Sequence, residues 1–207
     1  MDSSEWDARY AGTDLIWSAQ PNRWVEKEVA DLPAGKVLDL AAGEGRNSIW
    51  LAGLGWHATA VDFSSIALEK ARSIAAKQAD GRAERITWHR ADVREYRAEP
   101  GGYDLVLLVY LHLPPAERHL VLRHAADALA AGGVLLVLGH DTTNVADGTG
   151  GPQDTSVLFT PSDIVADLAT SGVTLRIEKA ERVLRDVEGT DRPAIDALVR
   201  ATALGES

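Results

Sequence analysis

Residues 36–62 constrain the fold of this chain more than any other segment. The mostly apolar segment 36–41 predicts a strand that is covered on both faces, as in the centre of a parallel sheet. Gly43 and Gly45 then allow a tight turn and leave room for a ligand beside the main chain. A short helix and a second strand that ends at Asp62 complete a strand–helix–strand unit. This unit predicts an α/β protein with a ligand crevice at the carboxyl ends of its strands.

Two acidic residues of this unit indicate the chemistry of the ligand. Asp39 lies at the end of the first predicted strand, just before the turn, where it suits an ammonium group. Asp62 lies at the tip of the second strand, where a carboxylate can accept both hydroxyls of a ribose in charge-assisted hydrogen bonds. S-adenosylmethionine carries both kinds of group, and we therefore expect it as the cofactor.

A nicotinamide cofactor is the alternative, because dinucleotide-binding folds share the strand, the glycine turn and the helix. The dinucleotide fingerprint has a third glycine, which residues 43–48 lack. Glu44 would also face a pyrophosphate, and two neighbouring negative charges repel each other. The turn therefore favours a cationic ligand, and an oxidoreductase stays an alternative.

The composition limits the classes of protein to which the chain can belong. With 21 basic and 31 acidic side chains, the net charge is −10, which opposes unspecific binding to nucleic acids. The longest apolar run, Leu105 to Leu111, is too short to span a bilayer, and the polar, acidic N-terminus shows no signal peptide. Cysteine is absent, which excludes disulfides and thiolate metal sites. We expect a cytoplasmic protein with no nucleic-acid or membrane partner, and the oligomeric state stays open.

The remaining sequence alternates predicted strands and helices, which is typical of a doubly wound α/β domain, here a single one over residues 1–207. Residues 1–32 predict an arm and a helix that cover the site, and residues 141–160 predict a mobile, lid-like loop. Two final strands, 173–184 and 194–203, predict an antiparallel hairpin at one edge of the sheet. The other predicted strands are 56–61, 86–89, 103–108 and 134–138, and the predicted helices are 21–31, 46–54, 64–78, 115–130 and one from about 161.

The sequence Val-Leu-Asp-Leu-Ala-Ala-Gly-Glu-Gly-Arg-Asn-Ser at 37–48 resembles class I S-adenosylmethionine-dependent methyltransferases. It is most similar to small-molecule enzymes of the tellurite-resistance and thiopurine methyltransferase type. The resemblance covers about residues 6–203 and implies a Rossmann-like fold whose seven-stranded sheet ends in a reversed hairpin. Relatives often carry cysteine where this chain has Ala42, which fits the same space. The implied activity is methyl transfer to a small molecule, with S-adenosylhomocysteine as the second product.

The resemblance also implies which residues contact the cofactor. Asp39, Gly43 and Gly45 would line its methionine end, and Asp62 would bind its ribose. The adenine and the covering arm would involve four further residues, which are Phe63, Asp92, Val93 and Trp17. Structural alternatives exist for these residues, such as a helix cap for an aspartate or a plain core position for an aromatic ring.

Residues after the fourth and fifth predicted strands are the candidates for catalysis. Tyr110 and His112 follow the fourth strand, and His140 and Asp141 follow the fifth. Histidine titrates near neutrality and suits a general base, which a hydroxyl acceptor needs at the moment of attack. We therefore expect O-methylation of a small molecule, and the tryptophans of the arm favour a sugar. A metal at His140 and Asp141 stays open, because two ligands are too few to define one.

Two other functions remain alternatives to O-methylation. A detoxifying methyltransferase for sulfur, selenium or tellurium needs no base, because its nucleophile is already anionic. A non-catalytic module would bind the cofactor and transfer no methyl group. Methylation of RNA or DNA is disfavoured by the acidic charge and by the sequence Tyr-Leu-His-Leu-Pro-Pro at 110–115, which lacks an Asn/Asp-Pro-Pro-Tyr/Phe motif.

Overall fold

The computed structural model describes residues 3–12 and 20–205. Its strands are β1 (Lys36–Leu40), β2 (His57–Asp62), β3 (Ile86–Arg90), β4 (Tyr103–Val109), β5 (Leu129–His140), β6 (Leu175–Arg185) and β7 (Ala194–Ala203). Its α-helices are α1 (Ser3–Ala11), α2 (Arg23–Val29), α3 (Arg46–Gly53), α4 (Ser65–Ala76), α5 (Pro115–Asp127), α6 (Asn144–Asp147) and α7 (Pro161–Leu168). Within the described ranges, none of these helices is long and apolar enough to cross a bilayer. The strands form one sheet in the order β3-β2-β1-β4-β5-β7-β6, and the chain divides into two compact units, Met1–Arg97 and Ala98–Ser207.

The first unit is built on three parallel strands, in which β2 pairs with both β1 and β3. Val37 and Leu38 of β1 are almost fully enclosed, as expected for a strand that is covered on both faces. Ser64 caps α4, because its hydroxyl accepts a hydrogen bond from the N–H of Ala67 at 3.1 Å. This cap starts α4 shortly after Asp62, which is the last residue of β2.

The second unit combines parallel and antiparallel pairing. β4 runs parallel to β5, whereas β7 runs antiparallel to both β5 and β6. The registers pair His140 with Asp196 and Arg185 with Ala194. Because β5 and β6 end where β7 begins, polar residues from three strands meet at one edge of this unit.

The fold class predicted from the sequence is confirmed, since the seven strands form a doubly wound α/β sheet that ends in an antiparallel hairpin. The differences lie at the ends of elements. The helix predicted to reach residue 130 ends at Asp127, and β5 begins at Leu129 because Leu129 already pairs with Tyr103. The segment 141–160 contains α6 and a short 3-10 helix. Its motion, the covering arm and the single domain stay predictions.

Candidate functional site

The turn between β1 and α3 has an unusual backbone. Ala41, Gly43 and Gly45 have φ angles of 61°, 56° and 73°, all in the left-handed region. Glycine adopts this conformation freely, whereas for alanine it costs about 1–2 kcal/mol. Hydrogen bonds from the N–H of Ala42 to the carbonyl of Val61 (3.0 Å) and from the N–H of Gly45 to the carbonyl of Ala42 (2.9 Å) hold the turn. A strained residue that its surroundings hold in place is typical of a binding site.

Asp62 ties this turn to the end of β2. Its Oδ2 accepts the N–H of Gly43 at 2.8 Å, and its Oδ1 accepts the N–H of Ser64 at 2.9 Å. Burial raises the pKa of Asp62 above its ordinary value, although both hydrogen bonds oppose the rise. Each carboxylate oxygen can accept a second hydrogen bond, so the group can still bind two donors of a ligand.

Asp39 is a second buried carboxylate of the first unit. It is 1% exposed, and its Oδ2 accepts a hydrogen bond from the hydroxyl of Ser48 at 2.7 Å. Burial raises the pKa of Asp39 to about 6 against the opposing effect of that hydrogen bond, and the negative charge of Asp62 adds to the rise. A cation that binds beside Asp39 would stabilise its ionised form.

The negative charge of Glu44 in the turn pairs with a positively charged side chain of the first unit. The ammonium group of Lys70 lies 3.5 Å from Glu44 Oε1 and donates a hydrogen bond to the carbonyl of Tyr10 at 2.5 Å. The hydroxyl of Ser64 donates a hydrogen bond to the carboxylate of Asp7. Because Asp7 and Tyr10 belong to α1, two polar contacts attach α1 to α4 and to its cap.

Gly45 is required by packing as well as by its backbone angle. A Cβ atom at this position would lie 2.6 Å from the ring of Trp88 in β3 and 3.1 Å from the Cβ of Ala71 in α4. A larger residue would therefore push β3 and α4 away from the turn. The contacts of Gly43 and Gly45 with a cofactor stay predictions.

The residues predicted near the adenine have different surroundings. Phe63 is half-buried and Val93 is buried. The carboxylate of Asp92 pairs with the guanidinium of Arg94 at 2.5 Å, which lowers the pKa of Asp92. Trp17 lies outside the described residues. The roles of these residues in binding adenine stay predictions.

The polar groups of the first unit fit S-adenosylmethionine. Asp39 and Asp62 offer buried carboxylate oxygens, which accept hydrogen bonds and attract positive charge. The cofactor has the complementary groups, namely an ammonium, a sulfonium and two ribose hydroxyls. Asp39 would hold the charged end and Asp62 the ribose.

A second polar cluster lies in the second unit, at the edge where β5 and β6 end. The carboxylate of Asp196 is fully buried, and its Oδ2 accepts hydrogen bonds from the hydroxyl of Tyr110 at 2.7 Å and from Nε of Arg185 at 3.0 Å. Nε of Arg185 also lies 3.0 Å from the Tyr110 oxygen. Nδ1 of His140 lies 3.2 Å from Asp196 Oδ1. These four residues form the Asp196 cluster.

The electrostatics of the Asp196 cluster keep its carboxylate ionised. Burial alone would raise the pKa of Asp196, but His140, Tyr110 and Arg185 together outweigh burial and lower it. Tyr110 has a φ of 58°, which is rare for a residue with a side chain. The strained backbone of Tyr110 and the buried anion that its hydroxyl contacts both point to a functional site.

His112 contacts this cluster through His140. Its Nε2 accepts a hydrogen bond from the backbone N–H of His140 at 3.0 Å, and the two imidazole rings stack with their centroids 5.4 Å apart. Burial, together with the neighbouring His140, lowers the pKa of His112 to about 4. His112 is therefore neutral at neutral pH and orients His140. Its role as a general base stays a prediction, and the geometry favours His140 for that role.

Asp141 is fully buried and its two oxygens have separate partners. Oδ1 accepts hydrogen bonds from the N–H and the hydroxyl of Thr143, at 2.9 and 2.7 Å. Oδ2 lies 2.9 Å from Nε of Arg182. These contacts describe a structural ion pair at the end of β5, and a catalytic role for Asp141 stays a prediction. Among residues 3–12 and 20–205, no three histidine or acidic side chains are grouped as metal ligands would be.

Asp196 and Arg185 were missed by reasoning from the sequence. Both lie in the C-terminal hairpin, and only the pairing of β5, β7 and β6 brings them to Tyr110 and His140. One signal was present, because Asp196 is the only acidic residue in the otherwise apolar run Ala194–Val199. A buried charge in such a strand needs partners and so indicates a site.

Comparison with known proteins gives a consistent class. Residues 37–133 match the family model of a methyltransferase domain. Glycine N-methyltransferase of Homo sapiens is 28% identical over 195 residues, which are 86% of this chain and 64% of that protein. The chain therefore spans less than two thirds of the length of this relative.

Solved structures share the fold at low sequence identity. The glycopeptide N-methyltransferase MtfA in complex with S-adenosylmethionine superposes with a TM-score of 0.69 and 20% identity, over 91% of this chain and 89% of that chain. The [4+2]-cyclase SpnF superposes with a TM-score of 0.74 and 14% identity, over 99% of this chain and 95% of that chain.

The fold and the family match indicate one class of protein. Residues 37–133 are similar to a methyltransferase domain, and the chain has the class I methyltransferase fold. These matches support the predicted class, an S-adenosylmethionine-dependent methyltransferase with S-adenosylmethionine as its cofactor, and the activity of this chain stays a proposal. The narrower resemblance to the tellurite-resistance and thiopurine enzymes stays a prediction.

Replacing Asp39 with asparagine is expected to stabilise the ligand-free protein above pH 6. A carboxyl whose pKa is raised from 3.8 to about 6 destabilises the fold once it ionises, so the penalty is absent below about pH 4 and complete above pH 6. At about 1.4 kcal/mol per pKa unit, the gain is at most about 3 kcal/mol. Urea unfolding between pH 4 and 7.5 measures it, with the exposed Asp31→Asn as a control for net charge. A gain that did not grow with pH would contradict the buried charge as its cause.

Proposed function

We propose that this protein transfers a methyl group from S-adenosylmethionine to the amino group of a small molecule. The observation that carries the proposal is the Asp196 cluster, where a buried carboxylate orients Tyr110 and His140. The names of two similar proteins, a glycine and a glycopeptide N-methyltransferase, support nitrogen as the acceptor atom. The net charge of −10 also favours the approach of a cationic amine over that of an anion.

The reaction would be an in-line displacement, for which the cofactor supplies the methyl group on a positively charged sulfur. The lone pair of the acceptor nitrogen bonds to the methyl carbon while the carbon–sulfur bond breaks, and the electron pair of that bond stays on sulfur. The acceptor must be a neutral amine at the moment of attack, and the methylated ammonium loses its proton afterwards. Holding the reacting atoms in line accounts for up to about 7–11 kcal/mol of the barrier.

Residues of the Asp196 cluster have distinct proposed roles toward the acceptor. The hydroxyl of Tyr110 donates to Asp196 and its oxygen accepts from Nε of Arg185, so these two residues fix the position of an oxygen that would contact the acceptor. His140 has its Nδ1 beside Asp196, so its Nε2 is the nitrogen that can take the proton of the acceptor. Asp196 is a positioning residue for both side chains.

O-methylation, as predicted from the sequence, is the second candidate function, because His140 could serve a hydroxyl as well as an amine. A hydroxyl needs the base at the moment of attack, whereas a neutral amine does not. We expect kcat/KM for small primary amines, such as glycine, to exceed that for sugar hydroxyls by at least about tenfold. Labelled S-adenosylmethionine and a panel of amines, sugars and thiols measure this ratio.

The outcomes of the panel separate the competing functions. Methylation of sugars alone would contradict the amine acceptor and support the predicted O-methylation. Transfer to thiols that persists in a His140→Ala variant would favour a soft nucleophile. Cofactor binding without transfer to any acceptor would favour a non-catalytic module, and the cyclase SpnF shows that this fold also occurs in proteins named for other chemistry. Calorimetry with S-adenosylhomocysteine, and with NADH in parallel, establishes the cofactor before the panel is run.

A further inference from the structure

A glycine-rich turn lies directly against the imidazole of His140. Gly151 has a φ of 74°, and a Cβ at this position would lie 2.5 Å from Cδ2 and 2.7 Å from both Cγ and Nε2 of His140. His140 itself is only 8% exposed. The backbone of this turn therefore covers the edge of the ring that carries the nitrogen proposed to receive a proton.

One buried side chain holds this turn in place. Asn144 is 1% exposed, and its Nδ2 donates hydrogen bonds to the carbonyls of Gly150 at 2.9 Å and Thr149 at 3.3 Å. Its Oδ1 accepts the N–H of Ile195 at 2.7 Å, directly beside Asp196. Asn144 therefore ties the turn to the start of β7.

The fit between the turn and Asn144 depends on glycine at its first position too. A Cβ at Gly148 would lie 2.0 Å from Asn144 Oδ1, so a side chain there is excluded. Residues 148–151, held by Asn144, form the glycine cover of His140. Gly148 lies so close to Asn144, and Gly151 so close to His140, that neither position has room for a Cβ atom.

We propose that the glycine cover and its latch Asn144 determine which acceptors reach Nε2 of His140. The inference rests on the proposed function, because it assumes that His140 contacts the acceptor. Because the cover lies against the ring and only 8% of His140 is exposed, an acceptor has narrow access to this side chain, which favours a small one such as an amino-acid-sized amine. Loosening the cover therefore exposes His140 and lets larger amines react.

The variant Asn144→Asp tests the hydrogen bonds by which Asn144 holds the glycine cover. The variant has the same shape and can still accept the N–H of Ile195, but it loses the donors to the two carbonyls and places an oxygen against them. Diethyl pyrocarbonate labels accessible imidazoles, and peptide mass spectrometry reports the labelling rate of each histidine. We expect slow labelling of His140 in the wild type and labelling at least about tenfold faster in Asn144→Asp. The exposed His57 is the internal standard.

Two further variants complete this test. Asp147→Asn changes an exposed residue of the same helix and should label like the wild type. In Gly151→Ala, the added Cβ would clash with the His140 ring, so the turn must move away from it. His140 should therefore be labelled as fast as in Asn144→Asp, and the test can still be made if one of the two variants unfolds. Wild-type His140 that labels as fast as His57, or labelling that neither variant accelerates, would overturn the cover without any measurement of activity.

The effect on acceptor choice is measured separately. In Asn144→Asp, the ratio of kcat/KM for a bulky amine to that for glycine should rise at least about fivefold. An unchanged ratio together with faster labelling of His140 would overturn the role in specificity and leave the contact itself established. An enzyme that methylates no amine at all would instead contradict the proposed function, while the labelling result would stand independently.

Discussion

Replacing Asp196 with asparagine is expected to lower kcat for methyl transfer by at least about 100-fold, because it displaces both Tyr110 and His140, and misplacing a reacting group by about 1 Å can cost about 10²-fold. The affinity for S-adenosylhomocysteine should change little, since the carboxylates predicted to bind the cofactor are those of Asp39 and Asp62. The loss should therefore appear in kcat rather than in cofactor binding. Single-turnover rates with saturating amine and calorimetry with S-adenosylhomocysteine measure the two quantities.

The expected loss of kcat follows from the number of hydrogen-bond donors that surround Asp196. Its Oδ2 accepts from Tyr110 and Arg185, and its Oδ1 faces Nδ1 of His140. An asparagine has one oxygen and a donating amide, so it must turn a donor toward either His140 or the other two residues. It also removes the buried negative charge that pairs with the half-buried guanidinium of Arg185 at 3.0 Å.

Controls distinguish catalysis from loss of structure. Asp186→Asn changes a neighbouring exposed carboxylate by the same chemistry and should keep the wild-type kcat. Tyr110→Phe removes one hydroxyl and should lower kcat by a smaller factor, with the pH profile of kcat retained. Urea unfolding shows whether each variant is folded at the assay temperature. A folded Asp196→Asn variant with the kcat of the wild type would contradict the proposed role.

The sequence predicted the strands and the glycine turn of the first unit well because these elements follow one another directly along the chain. The strand, the glycine turn, Asp39 and Asp62 lie within one strand–helix–strand segment, where spacing along the chain determines neighbours in space. Glu44 was interpreted only through its own charge, however. Its partner Lys70 lies in the next helix, and the link from Lys70 to Tyr10 of α1 depends on how α1 packs.

The second unit was predicted only in part because its cluster depends on strand register. The ends of β4 and β5 indicated Tyr110 and His140, but the buried anion between them comes from the start of β7. A shift of β7 by one residue would turn Asp196 to the other face of the sheet. Hydrophobic patterns predict that a hairpin forms, and they do not determine its register to one residue.

The glycine cover shows a further limit of prediction from composition. Residues 141–160 are rich in turn-forming residues, which predicts a loop but not the contacts that the loop makes. In the structure, the segment includes α6, and the buried Asn144 holds residues 148–151 through backbone carbonyls. Such side-chain-to-backbone bonds depend on the path of the chain and leave no periodic pattern in the sequence.

Replacing Asp62 with asparagine is expected to lower the affinity for S-adenosylhomocysteine at least about 100-fold, and S-adenosylmethionine should lose affinity to a similar extent. Hydrogen bonds to a charged group contribute about 1.5–3 kcal/mol each, so two ribose hydroxyls account for about 3–6 kcal/mol. Loss of about 2.8 kcal/mol of this contribution corresponds to about 100-fold in the dissociation constant. Isothermal titration of the variant and the wild type measures the change.

Asparagine is a sharper substitution here than alanine. Alanine would leave the buried N–H groups of Gly43 and Ser64 without their acceptor, and the glycine turn would lose its attachment to β2. Asparagine retains the shape of Asp62 and removes a buried charge, but its single oxygen can accept only one of these two N–H groups, so it should cost less stability than alanine without being neutral. Urea unfolding shows whether the variant is folded at the temperature of the titration, and weaker binding by a folded variant is then compared between ligands with and without the ribose hydroxyls.

The outcome decides whether Asp62 binds the ribose or only builds the turn. The exposed Asp31→Asn variant controls for net charge and should bind like the wild type. A binding loss that persists for S-adenosylhomocysteine but disappears for an analogue without the ribose hydroxyls would support the hydroxyl contacts. Wild-type affinity in a folded Asp62→Asn variant would remove the ribose role, and Asp62 would then serve only to hold Gly43 and Ser64 at the end of β2.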